Sequence, residues 1–162
     1  MPIGNDSNLV KIIKEKYGAS ILDSFVFRDE ATHIIKKDSL IEICGFLKNN
    51  SELQFNFLTD IVAVDYFPIK PRFEIIYHLY SIHQKHRLRL KVKAEDGETI
   101  PSVTSIWKTA DWAEREAYDM FGIRFEGHPN LKRIYMPEDW EGFPLRKDYP
   151  LKGYKDQYNP YG

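Results

Sequence analysis

Three histidines, His78, His83 and His86, lie close together in a chain of 162 residues, and His83-x-x-His86 resembles a pair of metal ligands. A zinc site needs three or four convergent ligands, each oriented by partners of its own. Here no cysteine joins the histidines, the nearest acid is Glu74, and on a hairpin the three need not share a face. A second set, Arg87, Arg89, Lys91 and Lys93, alternates along one stretch and could track a phosphate backbone from one side of a strand. With 23 basic against 24 acidic side chains and a net charge of −1, no general field draws in nucleic acid, so a solvated edge or a protein interface is the expected use. The third set is the charged triple Glu114-Arg115-Glu116 in "DWAEREAYDMFGIRFEGHP". Two nearby carboxylates could serve as general acid and base, but nothing in their spacing brings them to a common substrate.

Other chemistry finds little support. No glycine-rich phosphate cradle follows a strand, and no G-x-S-x-G elbow occurs. The single cysteine, Cys44, excludes an internal disulfide and any all-cysteine zinc or iron-sulfur site held by this chain alone, and it fits a reducing compartment. No stretch approaches the roughly 20 apolar residues of a membrane span, so membrane contact is expected only through partners. The start, "MPIGNDSNLVKIIKEKYG", reads as neither a secretory signal nor a transit peptide.

The elements that position these residues follow from periodicity and punctuation. Asp6 or Ser7 is expected to cap a first helix carrying Leu9, Val10, Ile12, Ile13 and Tyr17 and stopping at Gly18. "SFVFRDEATHIIKK" reads as a hairpin, and Asp38 or Ser39 as the cap of a short helix, "LIEICGFLKNN". Two strand-rich runs follow, "LQFNFLTDIVAVDYF" and "RFEIIYHLYSIHQKHRLRLKVKA", the second turning near Gln84-Lys85. In its last part Leu88, Leu90 and Val92 alternate with the basic row, giving one core face and one wet face. This order predicts a two-layer α+β sandwich: a mixed, mostly antiparallel sheet covered on one face by helices, with a long irregular C-terminal tail.

For the third helix Asp111 is an N-cap with Glu114 at capping-box spacing, and Gly122 is the residue after the end. Ala113, Ala117, Met120 and Phe121 share a face that must press on the sheet. Arg115 and Asp119 point away from it as a possible ion pair four residues apart, and Trp112 stands on the polar side beside Glu116 as a second contact surface. Glu114 is either a capping side chain or a half-buried carboxylate needing an arginine. Lys132, Arg133, Arg146 and Lys147 of the tail are candidates to fold back on the helix acids.

Residues 1–121 are thus read as the α+β body and 122–162 as an extended, partner-binding segment of the same domain. The segment holds five prolines, yet Phe125, Tyr135, Trp140, Phe143, Tyr149, Tyr154, Tyr158 and Tyr161 give it much apolar area. It is expected to cross the domain and then lie on another protein, the alternative being that it wraps only its own domain.

The run "EREAYDMFGIRFEGHPNLKRIYMPEDWEGFPLRKDYPL" resembles the signature of the C subunit of respiratory NADH:quinone oxidoreductase, complex I. The residues that carry the resemblance are Glu114, Arg115, Glu116, Asp119, Phe121-Gly122, Gly127-His128-Pro129, Leu131, Arg133, Pro137, Asp139-Trp140, Gly142 and Pro144-Leu145-Arg146-Lys147-Asp148-Tyr149. "LTDIVAVDY", Leu58 to Tyr66, is similar to a second, weaker motif, and the likeness runs from about Phe55 to Leu151. It implies a non-catalytic subunit of the hydrophilic arm, with FMN, iron-sulfur clusters, NADH and quinone held by partner subunits and no cofactor or metal in this chain. Its implied partners are subunits D, B and I, the D subunit being the main contact, on the cytoplasmic side of the inner membrane. Trp112, Glu114, Arg115, Glu116, Asp119, His128, Arg133, Trp140, Arg146, Lys147, Asp148 and Tyr149 are the signature or interface candidates. The same signature is shared by ferredoxin-dependent, factor-F420-dependent and hydrogenase complexes.

Overall fold

The computed structural model describes residues 6–28 and 30–154, with side chains from Lys11 onward. The side chains of Asp6, Ser7, Leu9 and Val10, and the tail tyrosines Tyr158 and Tyr161, lie outside that range. The chain runs through helix α1 (Asp6–Tyr17), strands β1 (Ile21–Phe27) and β2 (Glu30–Ile35), helix α2 (Leu40–Asn49), strands β3 (Phe57–Asp65), β4 (Phe73–Ser81), β5 (His86–Ala94) and β6 (Thr99–Pro101), helix α3 (Ala110–Phe121) and strand β7 (Arg124–Glu126).

Five strands form one sheet in the order β1-β2-β5-β4-β3. Hairpin neighbours pair antiparallel, whereas β2 and β5 pair parallel with Ala31 opposite Leu88 and Ile35 opposite Val92. A parallel pair needs a crossover, and α2 with the β3–β4 hairpin supplies it. Period-two alternation decides the faces: Leu88, Leu90 and Val92 are buried beside Ile75, Tyr77 and Leu79, and α2 adds Leu40, Ile43, Cys44 and Leu47 to the same core. Each such aliphatic side chain contributes about 1.5–3 kcal/mol by leaving water. The α+β sandwich with a mixed sheet is therefore as the sequence predicts.

The wet face is less wet than alternation implies. Arg89 binds Glu30 and donates to the Thr32 hydroxyl at 3.1 Å, Lys91 donates to Glu74 at 2.8 Å, and Arg87 stands 4.0 Å from Glu30, so all of the basic row but Lys93 meets an acid across the strands. His78 sits half-buried on that face, His83 lies in the β4–β5 turn and His86 starts β5; among the described residues no group of three or more His, Cys, Asp or Glu could hold a metal ion. Burial, then Arg89, lowers the His78 pKa, with Asp60 and Glu30 opposing.

Two caps differ from the sequence reading. Ser39 does precede α2, but a short 3-10 turn, Lys37–Ser39, leads into the helix, and the Ser39 hydroxyl donates to Ser20 Oγ and accepts from no helix N–H. α3 begins at Ala110, so Asp111 is inside the first turn and Thr109 takes the cap position, with no side-chain cap bond. Trp107 drives this earlier start: its indole N–H donates to the Phe55 carbonyl at 3.1 Å, and its own carbonyl receives the Ala110 N–H. The tail is also more regular at its origin than its prolines suggest, because β7 pairs in parallel with β6.

Candidate assembly site

α3 lies against edge strand β3 with Ala110, Ala117 and Met120 buried. The small alanines permit a close approach, as the wheel predicts. Gly122 ends the helix at φ 77°, a left-handed conformation that glycine adopts without strain, and its N–H closes on the Tyr118 carbonyl at 2.8 Å. From there residues 123–154 turn back over the outer side of the helix, fastened by two carboxylates, while a third ties the turn before the helix to it.

The first fastening is Asp119. It is 0% exposed, because the returning chain covers the helix face that the wheel leaves open to water. Its Oδ1 accepts from Arg133 at 2.7 Å, and its Oδ2 accepts from the consecutive backbone N–H groups of Ile134, Tyr135 and Met136 at 2.9, 2.7 and 3.0 Å. Consecutive amides of this kind form an anion-binding concavity. Burial alone would raise the Asp119 pKa, but the Met136 and Tyr135 amides, Arg133 and Ile134 outweigh it and the net shift is downward. The rest of the Arg133 fork donates to the carbonyls of Trp140 and Gly142 at 3.2 and 3.0 Å.

The expected Arg115–Asp119 ion pair is accordingly absent. Arg115 turns to the Lys132 and Arg133 carbonyls at 3.0 and 3.2 Å and lies 5.0 Å from the Trp112 ring. A buried carboxylate gains more from Arg133 and three fixed amides than from a side chain at the solvent edge.

The second fastening is Asp65, the aspartate of "LTDIVAVDY". Arg72 donates to both of its oxygens at 3.0 and 2.9 Å, and the Lys147 and Phe67 amides add bonds of 2.9 Å each. Burial pushes the Asp65 carboxyl up, yet Arg72 and the two amides bring it down to about 2. Arg72 also grips Asp148 at 2.9 and 2.6 Å, which lowers the Asp148 pKa, and reaches Asp96 at 3.1 Å. Arg146 completes the group with two 2.9 Å bonds to Asp96 and one of 2.6 Å to the Phe121 carbonyl. Between the two arginine clusters lies Phe143, its ring 5.2 Å from the Arg133 guanidinium and 4.9 Å from that of Arg146.

The third is Glu114, fully buried. It meets neither a capping amide of its own helix nor an arginine, and so departs from both readings of the sequence. Ser102 Oγ and the Val103 N–H each donate to it at 2.7 Å, tying the turn before α3 to the helix. Burial raises its pKa, Ser102 and Val103 hold it down, Asp111 adds to the rise, and the result is about 7. His128 packs alongside, its Nε2 3.2 Å from Asp111 Oδ1 and 4.0 Å from Glu114 Oε2. The Asn130 N–H donates to His128 Nδ1 at 3.0 Å, which leaves the proton of the neutral ring on Nε2.

Of the tail cations proposed from sequence, only Arg133 takes a helix acid, and that acid is Asp119. Lys132 contributes its carbonyl, Lys147 its amide, and Arg146 goes to Asp96. Glu116 stays exposed, 3.5 Å from the Tyr135 hydroxyl. Tyr149 donates to the Glu141 carbonyl at 3.3 Å and packs edge-on to Tyr154, while the Trp140 indole N–H is buried without a hydrogen-bond partner among the described residues. Sequence reasoning missed Arg72 and Asp96. Their only signal is general, an arginine directly after Pro71 and an aspartate in a turn.

A family model described as the respiratory-chain NADH dehydrogenase 30 Kd subunit matches residues 33–155. The chain belongs to this family. The match extends the motif-based likeness back to β2. The second C subunit of the NADH-quinone oxidoreductase of Rhizobium etli (strain CIAT 652) is 51% identical over 150 residues, covering 93% of this chain and 80% of that protein. The corresponding C subunit of Geotalea uraniireducens (strain Rf4) is 50% identical, covering 92% and 90%. Among solved structures, a chain in the membrane-bound sulfane sulfur reductase, an archaeal respiratory membrane complex, superposes with a TM-score of 0.81 at 25% identity, covering 98% of this chain and 94% of that one. Among the described residues no helix is long and apolar enough to cross a membrane.

Proposed function

We propose that this chain is the C subunit of a proton-translocating NADH:quinone oxidoreductase and acts there as a non-catalytic scaffold of the hydrophilic arm, docking on the D subunit near the site of quinone reduction. The observation that carries this reading is the fastening of residues 123–154. Buried carboxylates fix the main chain, yet large apolar side chains are left outside: Tyr135 is 61% exposed, Leu151 104%, and Leu145 and Tyr154 55% each. A segment held this firmly with its apolar groups in water is built to meet another protein. Residues 122–162 then form the partner-binding part of the single domain. Phe67 and Ile69, exposed on the β3–β4 loop that Asp65 and Arg72 brace, extend the same surface.

On this reading FMN, the iron-sulfur clusters, NADH and quinone are bound by other subunits, the B and I subunits lie nearby, and the chain reaches the cytoplasmic face of the inner membrane through its partners. A second reading, the equivalent subunit of a related complex with another electron donor, draws support from the likeness to the sulfane sulfur reductase chain. Purification of the tagged native complex separates them. Recovery of subunits D, B and I with a flavin-bearing NADH-binding subunit is expected. A nickel-iron or ferredoxin-linked subunit in its place overturns the donor, and recovery of the chain alone overturns the scaffold role. Metal or a visible chromophore in the isolated chain overturns the non-catalytic part.

A further inference from the structure

The outer edge of α3 carries a group that none of the three fastenings uses. Trp112 is 63% exposed, and Glu116, one turn on, shares its side of the helix. The Tyr135 ring, 61% exposed, stands over Glu116 with its hydroxyl 3.5 Å from the carboxylate. Arg115 covers one face of the indole at 5.0 Å and is itself held by the Lys132 and Arg133 carbonyls, so the indole has a braced back and an open front.

From this arrangement we propose that Trp112, Glu116 and Tyr135 form a docking ridge for an arginine- or lysine-bearing segment of a neighbouring subunit, resting on the scaffold role proposed above. Charge decides the occupant. Two cations near the ridge are already engaged, Arg115 on main-chain carbonyls and Arg133 on the buried Asp119. Glu116 makes no ion pair among the described residues, which leaves a carboxylate between two aromatic rings. A guanidinium or ammonium placed there pairs with Glu116 and lies against the open indole face, the geometry in which cation and ring attract most strongly. Trp and Tyr, with an arginine supplied by the partner, are also the residues that dominate protein interfaces.

The experiment uses the full tagged chain in its native complex. Trp112→Ala and Glu116→Lys are each expected to weaken retention of the neighbouring subunit by about thirtyfold, as a central interface residue does. A photoreactive residue in place of Trp112 is expected to cross-link, within the purified complex, to a peptide containing Arg or Lys, and reversing that residue's charge should restore binding to the Glu116→Lys variant. Unchanged retention in both variants, or a cross-link only within this chain, to a second copy or to a peptide without a cation, overturns the ridge while leaving the scaffold role standing. Recovery of the unaltered chain without any partner overturns the scaffold role first, and the ridge with it.

Discussion

Arg133 closes over Asp119 at 2.7 Å and converts the outward face of α3 into an inward one. With the carboxylate 0% exposed and the guanidinium side chain 13% exposed, removal of either partner leaves a charge stranded. Asp119→Asn is expected to lower stability by about 3 kcal/mol. Arg133→Lys should lose about half as much, since it keeps the charge and gives up the planar fork. Urea unfolding of the isolated chain measures both, and near-equal losses would argue against the fork.

Glu114 sets a pH dependence whose sign follows from its raised pKa. The folded state holds its proton up to about 7 against 4.5 for the ordinary group. Its contribution is therefore full below 4.5 and is lost as pH rises through about 7. The total is on the order of 3 kcal/mol. Glu114→Gln, a shape mimic of the protonated acid, is expected to flatten the stability profile across this window. A profile as steep in the variant as in the unaltered protein would assign the titration elsewhere.

Asp65 acts in the opposite direction. Its carboxyl, held near 2 against 3.8 for the ordinary group, stabilises the fold above 3.8, and that contribution is lost as pH falls through about 2. Hydrogen exchange at the Lys147 and Phe67 amides, which donate to it, should accelerate over this range. Asp65→Asn should show the faster exchange already at neutral pH.

Gly122→Ala should be among the most damaging small changes. The φ of 77° disfavours any side chain, and an added Cβ would stand 2.5 Å from the Phe143 ring. A loss of about 2 kcal/mol in thermal or urea unfolding is expected, combining backbone strain and steric overlap. Phe143→Leu placed beside it should recover only the steric part.

The legible parts of the sequence were those governed by local rules. Alternation at Leu88, Leu90 and Val92 shows the core face of β5, and Gly122 marks the end of α3, because pleat and handedness act over a few residues. Motif likeness supplied the family. Spacing on the wheel, however, assigns Asp119 to solvent, since a helical wheel carries no information about a segment that returns over it 14 residues later. Arg72 and Asp148 are 76 positions apart and meet only once the sheet and α3 have folded. Glu114 shows the same limit: its donors, Ser102 and Val103, precede the helix in a turn that has no periodic signature.

The Asp119 carboxylate binds the amides of residues 134–136, not their side chains. Many residue types at these three positions can therefore keep the grip, so the side chains there are free to be chosen by whatever they face outside. Proline alone removes the required donor, and a scan of the three positions should find it uniquely forbidden.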